Sequence, residues 1–342
     1  MDKWYQHIFY YLCTKKERKM LYPLKFEPIL MPKIWGGQNL KRLYPDADRY
    51  DNIGESWLVS AVQGNESVVE GGFLADNTLP ELVEVYLNDL VGDGVYKRYG
   101  NNFPLLVKII DAADDLSIQV HPDDEIAGKR HNSFGKNEMW YILDCTEDAF
   151  VCAGFNRKMT QKEYLTAVED GTLEDYLHKH PVKKGDYIYI PAGCVHSIGR
   201  GCTILEIQQS SDITYRIYDF NRTDDKGNRR ELHTEQALEA IDFDNWHKSL
   251  SSAVFVDNEA RKIIETPSFK TLIFSASKVQ ELDLSEIDSF VLLSVVEGRL
   301  NVNHPSGKTV IDTWQTALIP ASIQTVVLNP DPKAKVLITY IQ

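Results

Sequence analysis

A chain of 342 residues has room for two ordinary domains, or for one elaborate domain with insertions, and can bury a sizeable core. Its 50 acidic residues outnumber 37 basic ones for a net charge of -13, which argues against a broad electrostatic grip on nucleic acid or an anionic membrane and leaves any anionic ligand to a local basic pocket. Five cysteines without a Cys-x-x-Cys pair fit a reduced, cytoplasmic chain, and no apolar run approaches the roughly 20 residues that span a bilayer.

The chain starts with aromatics followed by Lys15, Lys16, Arg18 and Lys19, the reverse of a secretory signal. Met20 then leads directly into Leu21-Tyr-Pro-Leu-Lys-Phe-Glu-Pro28, a plausible domain start. Residues 1–19 are therefore expected to be a peripheral extension or the product of an upstream start codon, and the fold to begin at residue 20. Leu79 to Leu90 carries apolar residues at helical spacing. Phe103-Pro-Leu-Leu-Val-Lys-Ile-Ile110 reads as a strand, and so do Glu138-Met-Trp-Tyr-Ile-Leu143, Asp186-Tyr-Ile-Tyr-Ile190 and Thr203-Ile-Leu-Glu-Ile207. Thr160-Gln-Lys-Glu163 is a capping box opening a helix toward Val168, and Thr234 to Ile241 predicts another. From about Ser251 the chain is almost purely strand-like. A boundary near residue 248 gives a unit over 20–248 with helical insertions and a β unit over 249–342. A weak repeat links Tyr187-Ile-Tyr-Ile-Pro-Ala-Gly-Cys-Val-His196 to Ala317-Leu-Ile-Pro-Ala-Ser-Ile-Gln324, the second copy lacking the histidine. Two related β-barrels, only the first able to bind metal, account for that difference.

Chemistry concentrates in Leu116-Ser-Ile-Gln-Val-His-Pro-Asp-Asp124, where Gln119 and His121 alternate with Ile118 and Val120. On a strand this sends both metal-capable side chains to one face. Glu138 opens a later strand, and Gly185-x5-Pro191-x-Gly193-x2-His196 sets a histidine just past a tight turn. Singly, each has a bland reading as a strand-edge acid or a turn histidine. A barrel, however, can bring all four onto one inner wall. Two imidazoles and a carboxylate form a recurrent catalytic zinc set with open positions, to which Gln119 adds an oxygen donor; iron and manganese suit the same ligands.

The run ending at His196 resembles the second cupin motif, and Leu116 to Pro122 followed by Glu138-Met-Trp-Tyr resembles the type I mannose-6-phosphate isomerases, in their shorter bacterial branch. Ile34-Trp-Gly-Gly37, Gly54-Glu-Ser-Trp57, Pro104-Leu-Leu-Val-Lys108 and Ser211-Asp-Ile-Thr-Tyr-Arg216 fit the same family in its order. The second motif's terminal asparagine is missing, and there is no room for the large helical domain of longer members. The resemblance implies a mainly β fold of two cupin-type (jelly-roll) barrels with helical insertions in and after the first. It also implies one zinc ion per chain, on Gln119, His121, Glu138 and His196, with Arg216 as the catalytic arginine.

Aldose–ketose interconversion moves a proton between C2 and C1 through an enediol(ate), whose developing oxygen charge Arg216 is placed to stabilise. Glu206, ten residues earlier on an inward-reading strand, is the candidate proton-transfer base. Lys136, Ser117 and Lys108 are the candidate contacts for a sugar phosphate. The expected partner is this small molecule, with no nucleic acid or membrane, and the expected state a monomer or weak homo-oligomer. Two other readings stay open: a metal-cupin dioxygenase holding iron in the same pocket, and a non-catalytic sugar-binding cupin.

Overall fold

The computed structural model describes residues 20–223 and 226–342; the expected N-terminal extension lies outside them. The chain is mainly β, and its strand pairs are antiparallel. One seven-stranded sheet runs in the order Ile29–Met31, Glu55–Val59, Leu105–Asp111, Cys202–Gln209, Glu138–Cys145, Asp186–Ile190, Ser251–Ser252. It faces a five-stranded sheet ordered Tyr215–Tyr218, Ile118–Val120, His196–Ile198, Phe150–Phe155, Leu177–Pro181. Ala260–Glu265 opens a third sheet, built around the long strands Val291–His304 and Thr325–Tyr340. This is the cupin-type architecture expected from the sequence.

The seven-stranded sheet is covered on both faces, so its central strands read as near-continuous apolar runs whose two faces do different work. Along Cys202–Gln209, Leu205 and Ile207 point outward with Val107, Ile109, Met139 and Tyr141 into a core shared with Phe269, Phe290 and Leu337 of the C-terminal unit. Phe103 and Phe290 meet there with ring centroids 4.4 Å apart. Ile204 points the other way, joining Ile110, Trp140, Ile142, Val151, Ile188 and Ile198 between the two N-terminal sheets. Glu206 and Gln208 continue that inward face, so the barrel is apolar at one end and polar at the other.

The helices cover outer faces. Gln161–Glu169 starts at the expected capping box, with Thr160 and Glu163 satisfying one another's backbone N–H groups. Together with Thr234–Ala240 it packs on the back of the five-stranded sheet. The helical stretch expected over 79–90 is instead broken. Leu87 takes a φ of 51°, ending Leu79–Tyr86 and starting Asn88–Val91, because the chain must turn to set Leu90 and Val91 against the C-terminal unit. A helix over Asp124–His131, capped by Asp123, follows the strand Ile118–Val120 and His121. Among the described residues no helix is long and apolar enough to cross a membrane.

Candidate metal centre

Strand register assembles the site. Gln119 pairs with His196 on one side and with Arg216 on the other, so three predicted residues stand in a row across the five-stranded sheet. Across the barrel a second row runs Trp57, Lys108, Glu206, Trp140, again by direct cross-strand pairing. Trp140 closes the gap edge-on to His196, with ring centroids 5.4 Å apart. Glu138 lies on that second wall, one alternation from Trp140. His196 reaches its place because Gly193 turns the chain at a φ of 82°, its N–H donating to the His121 carbonyl at 2.9 Å and so tying the two histidine segments together.

His121, Glu138 and His196 are each about 1% exposed, and their donor atoms all lie within 4.8 Å of one another. His121 Nε2 is 3.1 Å from Glu138 Oε1, and His196 Nε2 is 3.7 Å from Glu138 Oε2. Each imidazole places Nδ1 2.8 Å from a backbone carbonyl, that of Ile213 for His121 and of Cys194 for His196. A carbonyl only accepts, so Nδ1 carries the proton in both rings, and both Nε2 lone pairs face Glu138. Gln119 directs its amide nitrogen, a donor, to within 3.2 Å of His196 Nε2, while its oxygen, the atom expected to ligate, accepts from Ser117 Oγ at 3.2 Å.

The donor set fits a divalent cation. Glu138 Oε2 is buried without a hydrogen-bond partner, with His196 Nε2 beside it and His121 Nε2 beside the other oxygen of the same carboxylate. Burial, together with the Lys136 ammonium, pushes His121 down to about 3; burial also lowers His196. Burial works against the Glu138 carboxylate, but the Lys136 ammonium overcomes it and holds the group well below the usual range. The three ligands therefore stand in the deprotonated forms that metal binding needs. The Lys136 ammonium lies among the donor atoms, 2.9 Å from His121 Nε2 and hydrogen-bonded to Glu138 Oε1.

Glu206 is ion-paired with Lys108 at 2.9 Å and accepts from the Trp140 indole at 2.8 Å. Burial and the neighbouring Glu138 charge raise its carboxyl, against the pull of Lys108 and Lys136. Burial disfavours the Lys108 ammonium, yet Glu206, Glu55 and Glu138 together raise it. Glu55 was not among the expected residues. It accepts from the Trp57 indole at 2.7 Å and sits 3.6 Å from Lys33. Glu55 and Trp57 alternate within Gly54-Glu-Ser-Trp57 just as Gln119 and His121 do, but a Glu–Trp alternation does not by itself point to a ligand.

Arg216 has a free side. Asp219, its nearest candidate ion-pair partner in sequence, is taken by Arg222 at 2.7 Å and by Arg230. Arg216 Nη1 donates to the Glu231 carbonyl at 3.0 Å, while Nε is buried without a partner. Burial and the adjacent Arg230 and Arg222 push its guanidinium below the ordinary arginine value. A cleft of about 820 Å³, lined by His131, Ser133, Ser211 and Ile213 among others, meets the centre only at Ile213, whose carbonyl holds His121.

Residues 24–166 match the family model of the type I phosphomannose isomerase catalytic domain. The chain is 39% identical over 281 residues to mannose-6-phosphate isomerase ManA of Bacillus subtilis, covering 81% of this chain and 86% of that protein. In structure it is similar to the crystallised mannose 6-phosphate isomerase of Bacillus subtilis, with a TM-score of 0.81, 29% identity, and coverage of 94% of this chain and 100% of that one. A mannose 6-phosphate isomerase crystallised with zinc and yttrium shares the fold at a TM-score of 0.73 and 16% identity, over 94% of this chain and 100% of that one.

Proposed function

The chain belongs to the type I phosphomannose isomerase family, and on that footing we propose that it interconverts D-mannose 6-phosphate and D-fructose 6-phosphate through an enediol(ate), using one zinc ion held by Gln119, His121, Glu138 and His196. One observation carries the reading. Two buried imidazoles, each with Nδ1 tied to a carbonyl, hold their Nε2 atoms 3.1 and 3.7 Å from the two oxygens of one buried carboxylate, of which Oε2 has no hydrogen-bond partner. The zinc-bound relative supports zinc over the iron or manganese that these ligands also suit.

When bound, zinc supplies Lewis-acid stabilisation of negative charge at the sugar oxygens. The chain's own residues do the rest. Glu206 carries the proton between C2 and C1. Its carboxyl, raised by burial and by Glu138, is a stronger base than a solvated glutamate, and Trp140 and Lys108 fix its orientation. Arg216, with its unpartnered Nε on the Gln119 wall, stabilises the enediolate as charge develops. Lys108 and Lys136 are the buried cations available to substrate oxygens. Ser117 donates its hydroxyl to Gln119, so its share is to orient that amide beside the bound sugar.

The test pairs metal analysis of the purified chain with a coupled assay for fructose 6-phosphate. Turnover that disappears on chelation and returns with Zn2+ is expected. Iron with oxygen uptake would identify a dioxygenase instead, and sugar binding without turnover a recognition module.

A further inference from the structure

One group of ligating side chains has no part in that chemistry. His178 and His180 alternate on the edge strand Leu177–Pro181, and their rings lie with centroids 4.0 Å apart. His247, in the loop after the Thr234–Ala240 helix, stacks on His178 at 5.1 Å. These spacings bracket the 4.7 Å between His121 and His196 in the centre already described. The strand Phe150–Phe155 lies between the two groups, pairing with His196–Ile198 on one side and with Leu177–Pro181 on the other.

Gly154 permits the assembly. It has a φ of 75°, and a Cβ there would strike the Trp246 carbonyl. Lacking one, it lets the loop come against the strand, with Gly154 bridging to His247 and the Phe155 N–H donating to the Trp246 carbonyl at 2.8 Å. Two ring nitrogens of the trio, Nδ1 of His178 and Nε2 of His180, are buried and have no hydrogen-bond partner. His180 is only 8% exposed, so its orphaned nitrogen is shut away from bulk water, a costly arrangement unless something else meets it. Burial lowers both rings below the ordinary imidazole range, and the neighbouring histidines push the same way, which keeps their lone pairs open.

We propose that His178, His180 and His247 form a second metal site, for a divalent transition cation of the zinc, copper and nickel class. Three neutral imidazoles with an open fourth position suit such a cation, whereas Mg2+ and Ca2+ take oxygen donors. The nitrogens do not converge as tightly as the donors of His121, Glu138 and His196, which lie within 4.8 Å of one another. His247 is exposed, so turning its side chain completes the set while the more buried rings of the edge strand stay in place.

The full chain, stripped with a chelator and titrated with Zn2+, is compared with His247→Ala and His178→Gln by native mass spectrometry. Two bound ions per chain are expected without substitution and one with either change, while turnover of the zinc-loaded variants stays unchanged and Mg2+ gives no such difference. Equal zinc counts in the unsubstituted chain and His247→Ala overturn the proposal, and so does a difference that Mg2+ reproduces. Because the readout is a difference between chains sharing the same first centre, it stands apart from whether that centre binds zinc.

Discussion

The N-terminal and C-terminal barrels use one strand–turn–strand device for opposite ends. After Asp186–Ile190 the chain turns at Pro191, with the Cys194 N–H donating to the Pro191 carbonyl at 3.1 Å; after Thr316–Ile319 it turns at Pro320, with the Ile323 N–H donating to the Pro320 carbonyl at 3.0 Å. The next strand opens with buried His196 in the first case and with exposed Thr325 in the second. Among the described residues, every buried polar side chain from 251 onward is a serine or threonine, two pairs of which bond across strands at 3.0 and 2.8 Å. The first barrel buries Lys108, Lys136, Glu138, Glu206, His121 and His196 instead. The turn thus serves the fold in both barrels and the chemistry in one. Buried charges left from an apolar interior mark where function outweighed stability.

The sharpest way to break this comparison is to exchange chemistry at equivalent turns. His196→Ala should abolish zinc retention and reduce turnover by more than about 100-fold, beyond the usual cost of losing an outer partner of a metal ligand. Thr325→Ala should change neither, with stability within about 0.5 kcal/mol, as for an ordinary surface substitution. Metal analysis and the coupled assay on both variants decide it; comparable losses in the two would mean the second barrel has a catalytic share. Next in size is Arg216→Ala, expected to lower kcat by roughly 10²–10³-fold while zinc stays near stoichiometric, since the role proposed for the arginine is to stabilise developing charge and its guanidinium bonds the Glu231 carbonyl, not a proposed ligand. Near-normal turnover would return Arg216 to a structural role.

Much of this site was legible because strand periodicity is simple. Alternation alone put Gln119 and His121 on one face, and the turn before His196 is written in Pro191 and Gly193. Glu55 obeyed the same rule and was passed over, because a Glu–Trp alternation carries no ligand signature until Lys108 is seen one strand away. The Arg230 partner of Asp219 was beyond reach, since it lies 11 residues away, with no described strand or helix between them to set a period. The break at Leu87 was hidden for a different reason: the apolar spacing continues through it, and only docking on the C-terminal unit imposes the turn.

A fourth variant should sharpen the comparison from the other side. Leu293→Ala, in the fully buried core of the C-terminal barrel, should cost about 2–5 kcal/mol of stability by leaving a cavity. Turnover per folded molecule should be unchanged. Urea unfolding alongside kcat measurement checks both halves, and a fall in kcat at full folding would tie the second barrel to catalysis.

The smallest expected effect is the response to mild acid, and here the barrels should part company. His121, His196 and Glu138 all have folded values below their ordinary ones, with His121 brought from 6.5 to about 3. Such groups add stability above the unfolded value and lose it as pH falls through the folded one, so for His121 the loss runs from about 6.5 down to about 3, at no more than about 1.4 kcal/mol per pH unit. Glu206, raised by burial, acts in the opposite sense: its contribution is present at low pH and lost as pH rises through its folded value, which offsets part of the slope. The C-terminal strands bury no ionisable side chain to match. In the zinc-stripped chain, amide exchange between pH 7 and 5 should therefore quicken first in Ile118–Val120, Glu138–Cys145 and His196–Ile198, with Val291–His304 still protected. Simultaneous loss in both barrels would mean that the core shared around Phe103 and Phe290 couples them into one cooperative unit, and that the polar interior of the first is stabilised by the apolar interior of the second.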